Sequence, residues 1–295
     1  MSFSYKLKNG ITVFILPGWY KQIVSCYWYI HAGSNQDFPE RQGLAHFIEH
    51  MFFKGTKEHK NASSLIHVLD EHGAQTNAFT TQEMTCYHCH ISSDVWEKAI
   101  QTLSEMIYDS IFPKSDYKFE KEIVVQELKQ RKTNPSILIQ DSMTWILSGT
   151  PYARSVGGTP EQVQSITSDD LNRFIHLYYQ PDRMYLFLVG DLPNQKQIQK
   201  VLHQYVDRVG NRSKNINTHL PEWWKYTKQD RIGREPIVWN GTIKQPNYPG
   251  PSIQWILNET DEQTLIKIDY PIWEMIEYDI YTIMDFIYLE YIKRI

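Results

Sequence analysis

"GLAHFIEHMFFKGT", residues 43–56, places two histidines and a glutamate within five consecutive positions of a stretch that otherwise reads as buried helix. A helix turns by about 100° per residue, so His46 and His50 stand one turn apart on the same face, with Glu49 projecting beside them. Packing alone gives a core helix no reason to carry these groups together. The arrangement suits two imidazoles gripping one metal ion with a carboxylate at hand.

Working outward, strand-like alternation at 11–16 and 23–32 runs into "AGSNQDFPERQG", a loop by its Gly, Pro, Asn and Asp content, just before the histidine helix. The site therefore sits where a sheet hands over to a helix. Upstream, Asn9-Gly10 reads as a hairpin turn between two short strands. Downstream, a helix is expected from Asn61 as N-cap to Gly73, then a hairpin of "QTNAFTT" and "MTCYHCHI" and long helices over 93–110 and 116–132. "SGTPYARSVGGTPEQVQSIT" is loop-rich with one short helix, and Thr167 with Asp170 makes a capping-box start for a helix to about Tyr179. "RMYLFLVGD" is a buried strand and 193–208 a further helix. Composition then shifts to a proline-rich, weakly periodic stretch, so the reading divides the chain into a main domain at 1–208, a connector at 209–262 and a partial second domain at 263–295. The last piece holds a strand, "QTLIKIDYPI", and an apolar helix from Trp273 to Ile295. Apolar side chains cover most of that helix's circumference, so it needs cover that one strand does not provide.

Composition bounds the function. The chain has 295 residues, 41% of them hydrophobic, enough for real cores. Its 34 acidic and 30 basic residues are interspersed, which leaves no electrostatic footprint for nucleic acid or an anionic membrane. No run of uncharged apolar residues is long enough to span a bilayer. Three cysteines, Cys26, Cys86 and Cys89, make no complete disulfide set, and together with an N-terminus free of signal or transit features they point to a reducing, cytoplasmic setting.

Catalytic zinc sites use three protein ligands, and the third must come from elsewhere in the chain. "FEKEIVVQELKQ" offers Glu120, Glu122 and Glu127 on one expected helix. Glu120 and Glu127 lie two turns apart on a shared face, whereas Glu122 points away toward solvent.

"HFIEH" is the inverted zinc motif H-x-x-E-H, and around it the chain resembles the pitrilysin/insulinase-like metallopeptidases, in particular the mitochondrial processing peptidase-like branch. The resemblance extends through "TNAFTTQEMTCYH", "EKEIVVQEL", "GTPYARSVGGTPEQVQSITSDDLNRFIHLYY" and "MYLFLVGD", in the family's order and spacing. It implies an α+β fold: a metallopeptidase-type sandwich of a mostly antiparallel sheet with helices packed on it, plus a partial second domain. It implies one Zn2+ per chain on His46, His50 and Glu127, with Glu120 supporting the site by hydrogen bonding and Glu49 as the base that takes a proton from water and passes it to the leaving amine. It also implies that the strand carrying Asn77 and Ala78 pairs with an extended peptide substrate.

Two other readings compete with zinc endopeptidase. One is a non-catalytic partner subunit, against which the intact His46, Glu49, His50 and Glu127 argue. The other is a different zinc hydrolase or lyase with the same inverted motif, such as S-ribosylhomocysteine lyase, in which a cysteine is the third ligand. "CYHCH" is a packing feature on this reading, because Cys86, His88 and His90 face one way in a strand and Cys89 the other, with His88 placed toward the cleft. "GTPYARSVGGT" reads as a tight turn over the sheet, since it lacks the Lys-Ser/Thr ending of a phosphate loop. Relative to the family the second domain is cut short. A homo- or hetero-oligomer supplying the missing half of the cleft is therefore expected.

Overall fold

The protein is seen as a computed structural model that describes residues 3–18, 22–131 and 154–207, the isolated positions 133 and 137, and the backbone of strands at 252–257 and 264–269. The apolar segment 273–295, on which the partner expectation rests, and most of the connector lie outside the described residues.

The Asn9-Gly10 turn forms as read. Gly10 takes φ +106°, and β1 (Phe3–Lys6) pairs antiparallel with β2 (Thr12–Pro17). The Asn9 amide also donates to the carbonyl of Val206 at 2.7 Å, fastening the hairpin to the far end of the main unit. β3 (Ile23–Ile30) follows, then α1 (Leu44–Met51) and α2 (Ala62–Asp70), the latter capped by the Asn61 side chain accepting from the Ser64 amide at 2.8 Å. β4 (Gln75–Thr80) and β5 (Thr85–Ser92) make the expected hairpin. Next come α3 (Trp96–Asp109), α4 (Lys114–Arg131), the short α5 (Pro160–Ser165) and α6 (Ser168–Tyr178), whose N-terminus is the Thr167/Asp170 capping box. β6 (Met184–Gly190) and α7 (Gln195–Tyr205) close the unit, and β7 (Ser252–Leu257) pairs antiparallel with β8 (Thr264–Asp269) as a separate ribbon.

The six-stranded sheet runs β1-β2-β6-β3-β5-β4. All its pairings are antiparallel except β2 with β6. The mixed α+β architecture with helices on the sheet is therefore the one the resemblance implied. Alternation sorts the two faces: Val24, Cys26, Trp28 and Ile30 of β3 are fully buried beneath the helices, whereas Tyr27 and Tyr29 on the other face are half-buried. On that second face, stacked rings of Phe14 and Phe187, 4.6 Å between centroids, join Tyr29 and Phe79 in an aromatic layer. No described helix is long and apolar enough to cross a membrane.

This layout puts the histidine helix at the β4 edge of the sheet. α1 lies on the helical face, and α4 crosses it from outside, so residues from three elements converge there. β4 is an edge strand, paired only with β5 among the described strands.

Candidate metal centre

α1 is held at its N-terminus by contacts that local sequence does not announce. The buried Asp37 carboxylate accepts from the backbone N–H groups of Gly43 at 2.7 Å and Ala45 at 2.8 Å, satisfying donors that a helix start leaves open. Burial pushes this carboxyl up to about 8, against the pull of the Ala45, Gly43 and Leu44 amides. Gly43 sits at φ +87°, and a Cβ there would lie 2.3 Å from the carbonyl oxygen of Gly157. Residues 157 and 158 thus pack backbone to backbone on the entry to α1, so this described part of the expected tight turn covers the histidine helix rather than the sheet. Gly43→Ala should lower stability by about 3 kcal/mol through left-handed strain and overpacking. Chemical denaturation checks this, and an unchanged midpoint would contradict it.

On α1, His46 is 7% exposed and the ring centroids of His46 and His50 are 4.8 Å apart. α4 brings Glu127 to both: Oε1 lies 3.6 Å from His46 Nε2 and Oε2 lies 3.4 Å from His50 Nε2. His46, His50 and Glu127 each offer a ligand atom, and these atoms fall within 4.8 Å of one another. Such separations are long for hydrogen bonds. Each histidine contact runs to a different Glu127 oxygen and is near the spacing of about 3.3–3.6 Å between neighbouring ligand atoms around tetrahedral zinc, given bonds of about 2.0–2.2 Å, while the three-residue set spreads to within 4.8 Å. The donor set therefore fits zinc. Among the described residues no other group of three or more His, Cys, Asp or Glu side chains is arranged to hold a metal ion.

The supporting groups are equally well placed. Glu120, 2% exposed, accepts from His50 Nδ1 at 2.8 Å, which orients the ring so that Nε2 faces Glu127. The Lys54 ammonium lies 2.5 Å from the other Glu120 oxygen. Glu49, 8% exposed, accepts from the Thr80 hydroxyl at 2.5 Å. Electrostatics differ sharply between the two histidines. Burial and the neighbouring His50 hold His46 down at about 4, whereas in His50 the hydrogen bond to Glu120 and the close Glu127 carboxylate overcome burial and carry it up to about 9. Burial also raises the Glu49 carboxyl, with Thr80 pulling the other way. Glu122 is exposed on the far side of α4.

The model of the insulinase peptidases, peptidase family M16, matches residues 14–159, and the model described as the M16 inactive domain follows at residues 165–265. The chain belongs to peptidase family M16. An uncharacterised zinc protease of Bacillus subtilis, YmxG, is 32% identical over 208 residues, covering 68% of this chain and 50% of its own length. The mitochondrial-processing peptidase subunit beta of Dictyostelium discoideum is 26% identical over 202 residues, covering 68% of this chain and 43% of its own length. This M16 chain thus spans about half the length of the relatives it matches. Among solved structures, a protease from Helicobacter pylori superposes with a TM-score of 0.68 at 23% identity, over 75% of this chain and 53% of the other. Pitrilysin superposes at 0.66 and 24% identity, over 75% of this chain and 24% of the other, and both share its fold. The family is one of zinc proteases, in keeping with the His-His-Glu group of the M16 chain.

Sequence reasoning missed three residues of this M16 site. Asp37, Lys54 and Thr80 were only loop, turn and strand positions, and nothing local marks an aspartate as the anchor of a helix six residues on. Of the residues expected at the substrate strand, Asn77 is exposed and its Oδ1 accepts from the Ala78 amide at 2.8 Å, while Ala78 turns toward the helical face. His88 pairs in register with Asn77, so it emerges on the sheet face opposite Thr80 and Glu49 and not toward the site. Cys86 and Cys89 are buried free thiols outside the His-His-Glu group, which removes the cysteine-ligand alternative.

Proposed function

We propose that the chain is a zinc endopeptidase acting on extended peptides or unfolded segments. The observation that carries this reading is the convergence of both histidine Nε2 atoms on the two oxygens of Glu127, with buried Glu49 on the same helix. His46, His50 and Glu127 would hold the zinc, which when bound would supply Lewis acidity toward a peptide carbonyl and water. Glu49 accepts the proton of the attacking water and hands it to the departing amine nitrogen. Because the Thr80 hydroxyl occupies Oε2, Oε1 is the atom that exchanges the proton. Glu120 holds the His50 ring in place throughout. The substrate main chain adds alongside Asn77 and Ala78 on the β4 edge, which no other described strand pairs, on the strand that also supplies Thr80 to Glu49.

The same reading includes a partner. A relative named as the beta subunit of a processing peptidase supports a working form in which a second chain, another copy or a different one, contributes to the cleft. The alternative, a non-catalytic subunit, draws on the inactive-domain match at 165–265. One experiment addresses both. Sedimentation defines the purified assembly, which is then offered an unstructured peptide with and without a chelator. Cleavage abolished by the chelator and restored by zinc is expected. Cleavage that survives complete metal removal refutes the zinc mechanism, and stoichiometric zinc without cleavage favours the subunit reading.

A further inference from the structure

We infer that Lys54 is a positioning residue of the metal centre: its ammonium holds Glu120 so that this carboxylate fixes the ring of His50. The inference rests on the zinc site proposed above and adds to it a residue outside the H-x-x-E-H motif.

Glu120 is gripped from one side by two residues one helical turn apart. His50 takes Oε1 at 2.8 Å and Lys54, in the turn that follows α1, takes Oε2 at 2.5 Å. Oε2 is buried and receives no well-aligned hydrogen bond among the described residues, so the lysine charge is what answers it. Lys54 is itself largely buried, with a side chain 19% exposed against 3% for Glu120, which strengthens the pair relative to a surface ion pair. Removing one member of such a pair leaves a buried charge without compensation. Glu120 would then turn toward solvent or admit water, and His50 would lose its acceptor.

The effect should be concentrated on the metal, because His50 is the ligand histidine with an anchored ring. The Nδ1 of His46 is buried and has no hydrogen-bond partner among the described residues. Glu127, the third ligand, has ion-pair contacts among the described residues with the histidines and with Arg131 at 3.9 Å. Orientation imposed on the ligand set from outside therefore enters through Lys54, Glu120 and His50 in sequence. Partners of metal ligands of this kind change affinity by about 10–100-fold when removed.

The test is a double-mutant cycle on the full chain, read as zinc affinity by chelator competition and as the visible spectrum of the cobalt-substituted protein. Lys54→Met should weaken zinc by about 10–100-fold and alter the cobalt bands. In a Glu120→Gln background, which removes the charge Lys54 answers, Lys54→Met should cost less than about twofold. An equal loss in both backgrounds, or none in the first, overturns the inference. If Lys54→Met alone fails to fold, the comparison of Glu120→Gln with the double variant still decides, since a further loss in the double variant is equally fatal. Failure of the unmodified chain to bind zinc would instead sink the metal site itself, and this inference with it.

Discussion

Glu49→Gln should keep its zinc and lose hydrolysis by about 10²–10⁴-fold, the range a positioned general base contributes. The amide preserves size and accepts the Thr80 hydroxyl through its oxygen, so the helix and the three ligands should stand unchanged. What it lacks is an atom able to take and return a proton. Burial favours this role, because a carboxyl raised above its usual range is a stronger base toward water than an exposed one. Elemental analysis beside peptide turnover makes the measurement. Loss of metal from Glu49→Gln would make Glu49 a ligand, and turnover within a few-fold of the unmodified chain would remove it from the chemistry.

His46→Ala should show the opposite pattern, losing metal and activity together. Structural zinc sites bind with about 10–16 kcal/mol, and removing one of three protein ligands forfeits roughly a third, about 3–5 kcal/mol or 10²–10⁴-fold in affinity. The geometry gives no substitute, since among the described residues His46, His50 and Glu127 are the only such set. Zinc content is the readout. Undiminished zinc in this variant would place the metal elsewhere and reopen the assignment of Glu127 as well.

The two variants together separate the holding of zinc from the moving of a proton, and that division follows from where the groups sit on one helix. His46 and His50 face α4, which carries Glu127, whereas Glu49 faces β4 and its Thr80. α1 therefore stands between the helix that brings Glu127 to its histidines and the edge strand that brings Thr80 to Glu49. The Gly43 and Gly157 backbone contact and the Asp37 anchor fix its depth between them.

Local chemistry made much of this legible in the chain. The 3.6-residue period puts His46 and His50 on one face and separates Glu127 from Glu122, whatever the helix later packs against. Asn9-Gly10, Asn61 and Thr167 with Asp170 mark turns and caps because the groups that satisfy them lie within a few residues. Pairings between distant segments were not legible. β6 enters the sheet between β2 and β3 although some 150 residues of chain separate it from the latter, and alternation alone reports a strand's faces but not its neighbours. Asp37 on the α1 amides, Thr80 on Glu49 and Lys54 on Glu120 are of the same kind. Which carboxylate an ammonium or a hydroxyl meets is decided by the packing of α1 against α4 and β4. So the sequence by itself determined that His46, Glu49 and His50 share one helix, with the two histidines on one face, through spacing that closes within a turn. The tertiary structure alone decided how those groups are held, because burial makes each unpaired charge costly and only the packed fold says which partner is near enough to answer it.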